Sequence, residues 1–262
     1  MVLLNYRHNI DGVALCLSQD SAYEGHGEMY EAGHVTEIIE HFGIRLRPDP
    51  EFMSPKLIEA LRTGQYEAGE ARKIGKIIQS GDVILEIGAG IGFMTALMLK
   101  NPAAERVVSF EGNPLLISKI QRTLDDNNLG GQRFELHNNI LGAEDTGTID
   151  FHIHKDFWAS SLRKTTGTIR SCPVPLASFD KTLKAVRPSV IVCDIEGGET
   201  ALFPTSDLAG VRSVYMELHQ RVIGPEGMRG VFQTFHDRGF HYDQNHSHGA
   251  VVLFSRIPTS AD

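Results

Sequence analysis

From residue 82 onward the chain alternates short apolar runs with longer amphipathic stretches. VILEI (83–87), RVVSFE (106–111), RFELHN (133–138), SVIVCDI (189–195) and RSVYMELH (212–219) read as strands. GFMTALMLK (92–100), PLLISKIQRTLDDNN (114–128), SFDKTLKAV (178–186) and EGMRGVFQTFHDR (226–238) read as helices. The strand runs are nearly continuous in apolar residues, as in strands covered on both faces. This βαβ rhythm predicts an α/β fold built on a doubly wound, mostly parallel sheet. FHYD (240–243) and AVVLFSR (250–256) predict an antiparallel C-terminal hairpin, joined by residues 244–249. One stretch breaks the rhythm. TIDFHIH and TIRSCPVP surround FWASSLRKTTG within residues 147–176, and predict an inserted hairpin whose loop reaches over the sheet's carboxyl edge.

Residues 1 to about 50 are weakly patterned and end in IRLRPDPEFMSP, punctuated by Pro48, Pro50 and Pro55. Ser54 is a natural cap with Pro55 at the first helical position, and two helices are expected over residues 54–79 with a break at Gly64. The chain therefore divides into an N-terminal extension, 1–53, expected to cap a pocket, and one domain, 54–262.

A formal charge of −8 disfavours nucleic acid as a partner, because such a chain has no field to attract a phosphate backbone. No segment is long and apolar enough to span a bilayer, and Asn5, Arg7, His8 and Asp11 break up any signal-peptide core. A cytoplasmic protein without a membrane partner is expected, and a homo-oligomer is left open. None of Cys16, Cys172 and Cys193 has a second cysteine at metal-ligand spacing.

The strongest local signal is DVILEIGAGIGFMTAL, where Gly88, Gly90 and Gly92 follow a strand and open a helix. Here a chain turns tightly and lets a ligand approach its backbone. A dinucleotide fingerprint wants its third glycine one residue later, where Phe93 stands. Glu86, two residues before the first glycine, would repel a pyrophosphate but suits a ligand carrying ammonium and sulfonium charges, such as S-adenosylmethionine. Glu111 closes the next strand, where an acid accepts ribose hydroxyls from either cofactor. Together these features resemble the class I S-adenosylmethionine-dependent methyltransferases, a Rossmann-like class.

A second informative run is SVIVCDIEGGETALF, in which an apolar strand delivers Asp194, with Glu196 and Glu199 flanking Gly197–Gly198. Three carboxylates in six residues at a strand's carboxyl end are not a folding requirement. This run resembles the FkbM family of methyltransferases, whose hallmark is Asp-x-Glu-Gly-x-Glu after the fourth strand. GQYEAGE (64–70), SFEGNP (109–114), SSL (160–162), PLASFD (175–180) and YMELH (215–219) agree with it in order, so the resemblance spans roughly residues 54–257. The chain departs from the commoner family pattern in having Glu86 for Asp and Gly90 for Asn.

The resemblance implies that Glu86, Gly88, Gly90 and Gly92 hold the methionine end of the cofactor. It further implies that Glu111 takes the ribose with Asn113 beside it, that Asn139 and Ile140 line the adenine, and that Tyr66 and Glu67 close over the site, although Tyr66 reads equally as an aromatic anchoring two helices. Methyl transfer is an in-line displacement, so alignment and exclusion of water dominate, with a base where the acceptor is an alcohol. Asp194 is the first candidate to position or activate the acceptor, with His219 second and Glu196 beside them. A divalent metal held by Asp194, Glu196 and Glu217 is allowed but not predicted, since Glu217 lies within a strand and need not face the same cavity. His241, His246 and His248 with Asp243 form the densest histidine group, but a hairpin tip is naturally polar; His26 and His34 lack helical metal-pair spacing. Trp158, the only tryptophan, reads equally as an acceptor contact and as core.

The expected function is S-adenosylmethionine-dependent O-methylation of a small hydroxylated metabolite, a sugar or polyketide-type compound. The alternatives are a nicotinamide-dependent oxidoreductase, for which no Tyr-x-x-x-Lys pair is evident, and a non-catalytic binding module, which should lose the strand-end acids.

Overall fold

The computed structural model describes residues 37–258. Its centre is a seven-stranded sheet made of β3 (Asp82–Ile87), β4 (Ala104–Phe110), β5 (Phe134–His137), β9 (Val190–Cys193), β10 (Ser213–Glu217), β11 (Phe240–Tyr242) and β12 (Val251–Arg256). The spatial order is β5-β4-β3-β9-β10-β12-β11. The first five run parallel, β12 is antiparallel to both β10 and β11, and the C-terminal hairpin thus closes one end of the sheet. The order reverses between β3 and β9, which is where an open α/β sheet leaves a crevice at its carboxyl edge.

The strand side chains divide between two cores. Ile84, Val190, Val192, Tyr215 and Leu253 face one layer, filled by α1 (Pro55–Arg62), α2 (Ala68–Ile77), α3 (Phe93–Lys100) and α4 (Ile117–Asp126). Leu85, Ile87, Ile191, Val214 and Phe254 face the other, filled by α5 (Phe179–Val186), α6 (Glu199–Leu202) and α7 (Gln220–Asp237). Strands buried on both faces need apolar residues at every position, which is why these runs do not alternate in sequence.

The local signals are used as expected at several ends. Ser54 Oγ accepts from the Leu57 amide with Pro55 at the first position of α1, and Ser178 Oγ caps α5 through the Lys181 amide. α7 begins earlier than the expected 226, because a first turn from Gln220 joins it across Gly224, held at φ 68° before Pro225.

Two regions lie beside the main sheet. β6 (Ile140–Gly142), β7 (Thr148–His154) and β8 (Thr168–Ser178) form a separate three-stranded sheet, so the inserted hairpin is present and gains a third strand. Ahead of α1, β1 (Ile39–His41) and β2 (Ile44–Leu46) pair through a two-residue turn with positive φ at Phe42 and Gly43. Ile39, Ile44 and Leu46 are buried in the α1–α4 layer, and Arg47 pairs with Asp126 at 2.6 Å. Residues 37–53 are therefore built into the domain rather than set off from it. The expected cap falls mainly on residues 1–36, outside the described residues.

Candidate functional site

A cavity of about 560 Å³ opens at the carboxyl edge of the sheet, between the switch point and the inserted sheet. One end is made by the glycine turn. Gly88 takes φ 89°, and a Cβ there would stand 1.9 Å from the Asp194 carbonyl oxygen. Gly90, at φ 56°, faces the cavity beside Phe157 and the Tyr66 hydroxyl. Gly92 does something else. It does not line the cavity; its missing Cβ lets α3 pack against Ile120 of α4. The expected cradle is therefore Gly88 and Gly90, with Gly92 serving helix packing.

Two carboxylates flank this turn. Glu111 is 6% exposed, and its oxygens accept the amides of Gly90 (2.8 Å) and Asn113 (2.7 Å). Burial pushes its pKa up to about 7, although backbone amides pull the other way. Glu86 is 1% exposed; one oxygen accepts the hydroxyls of Thr95 (2.6 Å) and Ser109 (2.5 Å), and Oε1 has no partner. Burial raises it to about 7 as well. Both groups line the cavity.

Asn113 does not line it. Its side chain turns to the Leu115 amide at 3.1 Å and caps the short 3-10 turn Pro114–Leu116, so it bears on Glu111 through its backbone amide alone. Asn139 and Ile140 are lining residues, and Asn139 Nδ2 donates to the Pro175 carbonyl. Tyr66 lines it too, its carbonyl held by His41 Nε2 at 2.6 Å.

The other end is acidic. Asp194 follows the end of β9, and its side chain, 47% exposed, opens into the cavity it lines. His219 follows β10 and lies within 3.7 Å of Asp194 Oδ1 and 3.3 Å of Glu196 Oε1 through Nε2. Its Nδ1 meets Glu199 Oε1 at 2.7 Å. Glu217, expected to be able to point away, lines the same cavity. It does so because it is the last residue of β10, where the sheet face gives way to the mouth. Burial pulls the imidazole down, but the Glu196, Glu199 and Asp194 carboxylates outweigh it and hold His219 as a cation, up to about 11. Partial desolvation at the cavity mouth, reinforced by the Glu217 carboxylate, pushes Asp194 up to about 8. At neutral pH both groups carry a proton; Asp194 gives its own up above about 8 and His219 only near 11, so of the two Asp194 is the one that becomes a free base as pH rises.

Glu67, expected with Tyr66 to close over the cofactor, lines the cavity, and Glu70 and Phe157 line it without a role assigned from the sequence. Phe157 closes over Gly90, and Glu67 and Glu70 bring acids from the start of α2. Glu67 sits at φ 44°, and burial raises its pKa strongly. Trp158 is 53% exposed at the cavity rather than core. The C-terminal histidines do not converge. His246 pairs with Asp243 at 2.9 Å, His241 meets its neighbour's carbonyl, and His248 packs against Gly69. His26 and His34 lie outside the described residues.

A parallel sheet with this strand order, a glycine turn after its first strand and an acid after its second defines a Rossmann-like methyltransferase architecture. Residues 86–250 match the family model of the methyltransferase FkbM domain, well over half of the chain. The chain belongs to that family.

Similar solved structures include Trm5b of Pyrococcus abyssi, at 14% identity and TM-score 0.46, covering 88% of this chain and 61% of that one. A precorrin-6y C5,15-methyltransferase of Geobacter metallireducens matches at 11% identity and TM-score 0.42, over 72% and 84% of the two chains. A putative tRNA (m1A22) methyltransferase of Streptococcus pneumoniae, in complex with S-adenosyl-L-methionine, matches at 11% identity and TM-score 0.42, over 73% and 75%. No curated protein matches the chain. Among the described residues, no helix is long and apolar enough to cross a membrane.

Proposed function

We propose that this methyltransferase uses S-adenosylmethionine to methylate a hydroxyl of a small metabolite, a sugar or a polyketide-type compound. The observation that carries this reading is a single cavity with two chemically distinct ends, the glycine turn meeting Asp194 at Gly88. The residues fit the cofactor. Glu86 Oε1 is a buried acceptor without a partner, and a side chain at Gly90 would crowd Phe157, its Cβ standing 3.3 Å from that ring at the cavity wall. Seven carboxylate side chains line the cavity against one guanidinium, Arg163, among the described residues, a balance that favours a ligand of positive charge.

In this reading Glu86 and the Gly88–Gly90 turn hold the methionine end, and Glu111 accepts the ribose hydroxyls. Asn139 and Ile140 contact the adenine edge and face. When bound, the cofactor supplies an activated methyl group on a sulfonium. Asp194, once ionised, would orient the acceptor hydroxyl and take its proton as the methyl–sulfur bond breaks and the C–O bond forms, with His219 lying between Asp194 and Glu196. Phe157 and Trp158 keep water out of the reacting end. The partner is then a small-molecule acceptor rather than nucleic acid or a membrane, in a cytoplasmic protein.

Calorimetric titration with S-adenosylmethionine tests the cofactor, with NAD in parallel and Glu111→Ala as the variant. Binding of S-adenosylmethionine that the variant loses is expected. Binding of NAD alone overturns the reading, and a panel of sugars and polyketide-type alcohols with methyl-labelled cofactor then tests the acceptor.

A further inference from the structure

We propose that Asp194, Glu217 and His219 form a binding site for a divalent cation of the Mn²⁺ type at the acceptor end of the cavity. The description of that end as the acceptor's rests on the function proposed above; the site itself rests on side-chain geometry. One donor atom from each of the three residues lies within 4.8 Å of the other two. Donors about 2.1–2.3 Å from a common ion fall within that separation of one another. Two carboxylates and one imidazole make a mixed oxygen and nitrogen set, for which Mn²⁺, a carboxylate-binding divalent ion, is a probe whose resonance reports a nitrogen ligand.

The second observation concerns Glu199. Its side chain is fully buried, one oxygen has no hydrogen-bond partner, and the other is 2.7 Å from His219 Nδ1. Keeping a half-satisfied carboxylate out of water is costly. The arrangement gives something in return. It keeps a proton on Nδ1 and turns Nε2 toward Asp194 at 3.7 Å, with Glu196 at 3.3 Å, the carboxylate–histidine pairing that orients imidazole ligands at metal centres, where the ion would replace the Nε2 proton. Gly197 lets the loop pass, since a Cβ there would stand 2.4 Å from Val222, and so the strand-end turn carries Asp194, Glu196 and Glu199 to one histidine.

An ion in this place would bind the acceptor oxygen and make its proton easier to lose. With Asp194 engaged as a ligand rather than as the base, the proton would pass to Glu196, which lies beside His219 but outside the donor set. A cationic amine acceptor is the competing occupant of such an acidic end. Three convergent donors, one a histidine locked by a buried acid, favour the ion.

The test is a titration of the full chain with MnCl₂, followed by loss of the free-ion electron paramagnetic resonance signal. S-adenosylmethionine binding is measured in parallel. One Mn²⁺ per chain is expected, with about tenfold or greater weakening in Glu217→Gln and Glu199→Gln and unchanged S-adenosylmethionine affinity. Pulsed resonance on the wild-type chain should show a ¹⁴N coupling from one imidazole, a readout that does not depend on any variant folding. Absence of Mn²⁺ binding, or bound Mn²⁺ without that coupling, overturns the site. If S-adenosylmethionine binds while Mn²⁺ does not, the cation site fails and the methyltransferase reading stands. If Mn²⁺ binds with the coupling and S-adenosylmethionine does not, the reverse holds.

Discussion

Glu86 and Glu111 at one end of the cavity, and Asp194 and Glu217 at the other, are all acids that burial pushes toward neutrality, yet they are supported differently. Glu111 is held by backbone amides of the glycine turn and of Asn113, and Glu86 by the Thr95 and Ser109 hydroxyls. These are neutral donors on rigid strands and helix ends, so this half is preorganised whatever its charge state. At the other end the acids Asp194, Glu196 and Glu199 are gathered about one imidazole. Their stability depends on charge, and the charge balance shifts with whatever enters. One half is a fixed mould and the other an electrostatic trap.

The sharpest way to break this comparison is Asp194→Asn. Methyl transfer should fall by about 10²–10⁴-fold, the usual weight of a general base, while S-adenosylmethionine affinity barely changes. Loss of cofactor affinity instead would merge the two halves. Next comes pH. The Glu86 carboxyl is raised from 4.5 to about 7, so the folded chain keeps a proton that the unfolded chain releases. That contribution is at its best below about 4.5 and declines as pH rises to about 7, by something on the order of 3 kcal/mol. Glu86→Gln should therefore match the wild type in thermal melts at pH 5 and exceed it at pH 8. Equal melts at both values would show that the carboxyl is not held neutral.

Glu111→Ala follows, with S-adenosylmethionine affinity falling about 10²-fold, as expected for losing hydrogen bonds to a charged group. The wild-type affinity should itself rise between pH 6 and 8, because Glu111 ionises near 7 and its anionic form is the better acceptor. A flat profile would place its ionisation elsewhere. The smallest effect is structural. Gly88→Ala drives a Cβ into the Asp194 carbonyl at a positive φ and should cost about 1–3 kcal/mol in a denaturant titration. A variant as stable as wild type would mean that the two halves are not in fact in contact there.

Much of the mould was legible in the chain. Its turn, its acids and its flanking strands are contiguous, and local chemistry dictates them: a glycine where φ is positive, Ser54 with Pro55 at a helix start, apolar runs where a strand is covered twice. The β1–β2 hairpin was legible and missed. Ile39, His41, Ile44 and Leu46 alternate around Phe42–Gly43, but the three prolines that follow dominate the local pattern. Three details could not be read at all. Gly92 faces Ile120 rather than the cavity, Asn113 caps a turn rather than facing it, and Glu217 sits where its strand meets the mouth. Each depends on which way one side chain points at the end of an element, which a periodicity cannot specify.

By itself, then, the sequence determined the doubly wound sheet, the glycine turn with Glu86 and Glu111, and the acidic run beginning at Asp194. These follow from neighbours along the chain and from the need to bury apolar runs on two faces. Only the tertiary structure decided that Asp194, Glu196, Glu199 and Glu217 surround His219, and that Phe157 and Trp158 of the inserted segment close the same cavity. Those groups come from separate strand ends and from a second sheet. Packing brings them together, and only in the packed state do burial and mutual charge set what each of them can do.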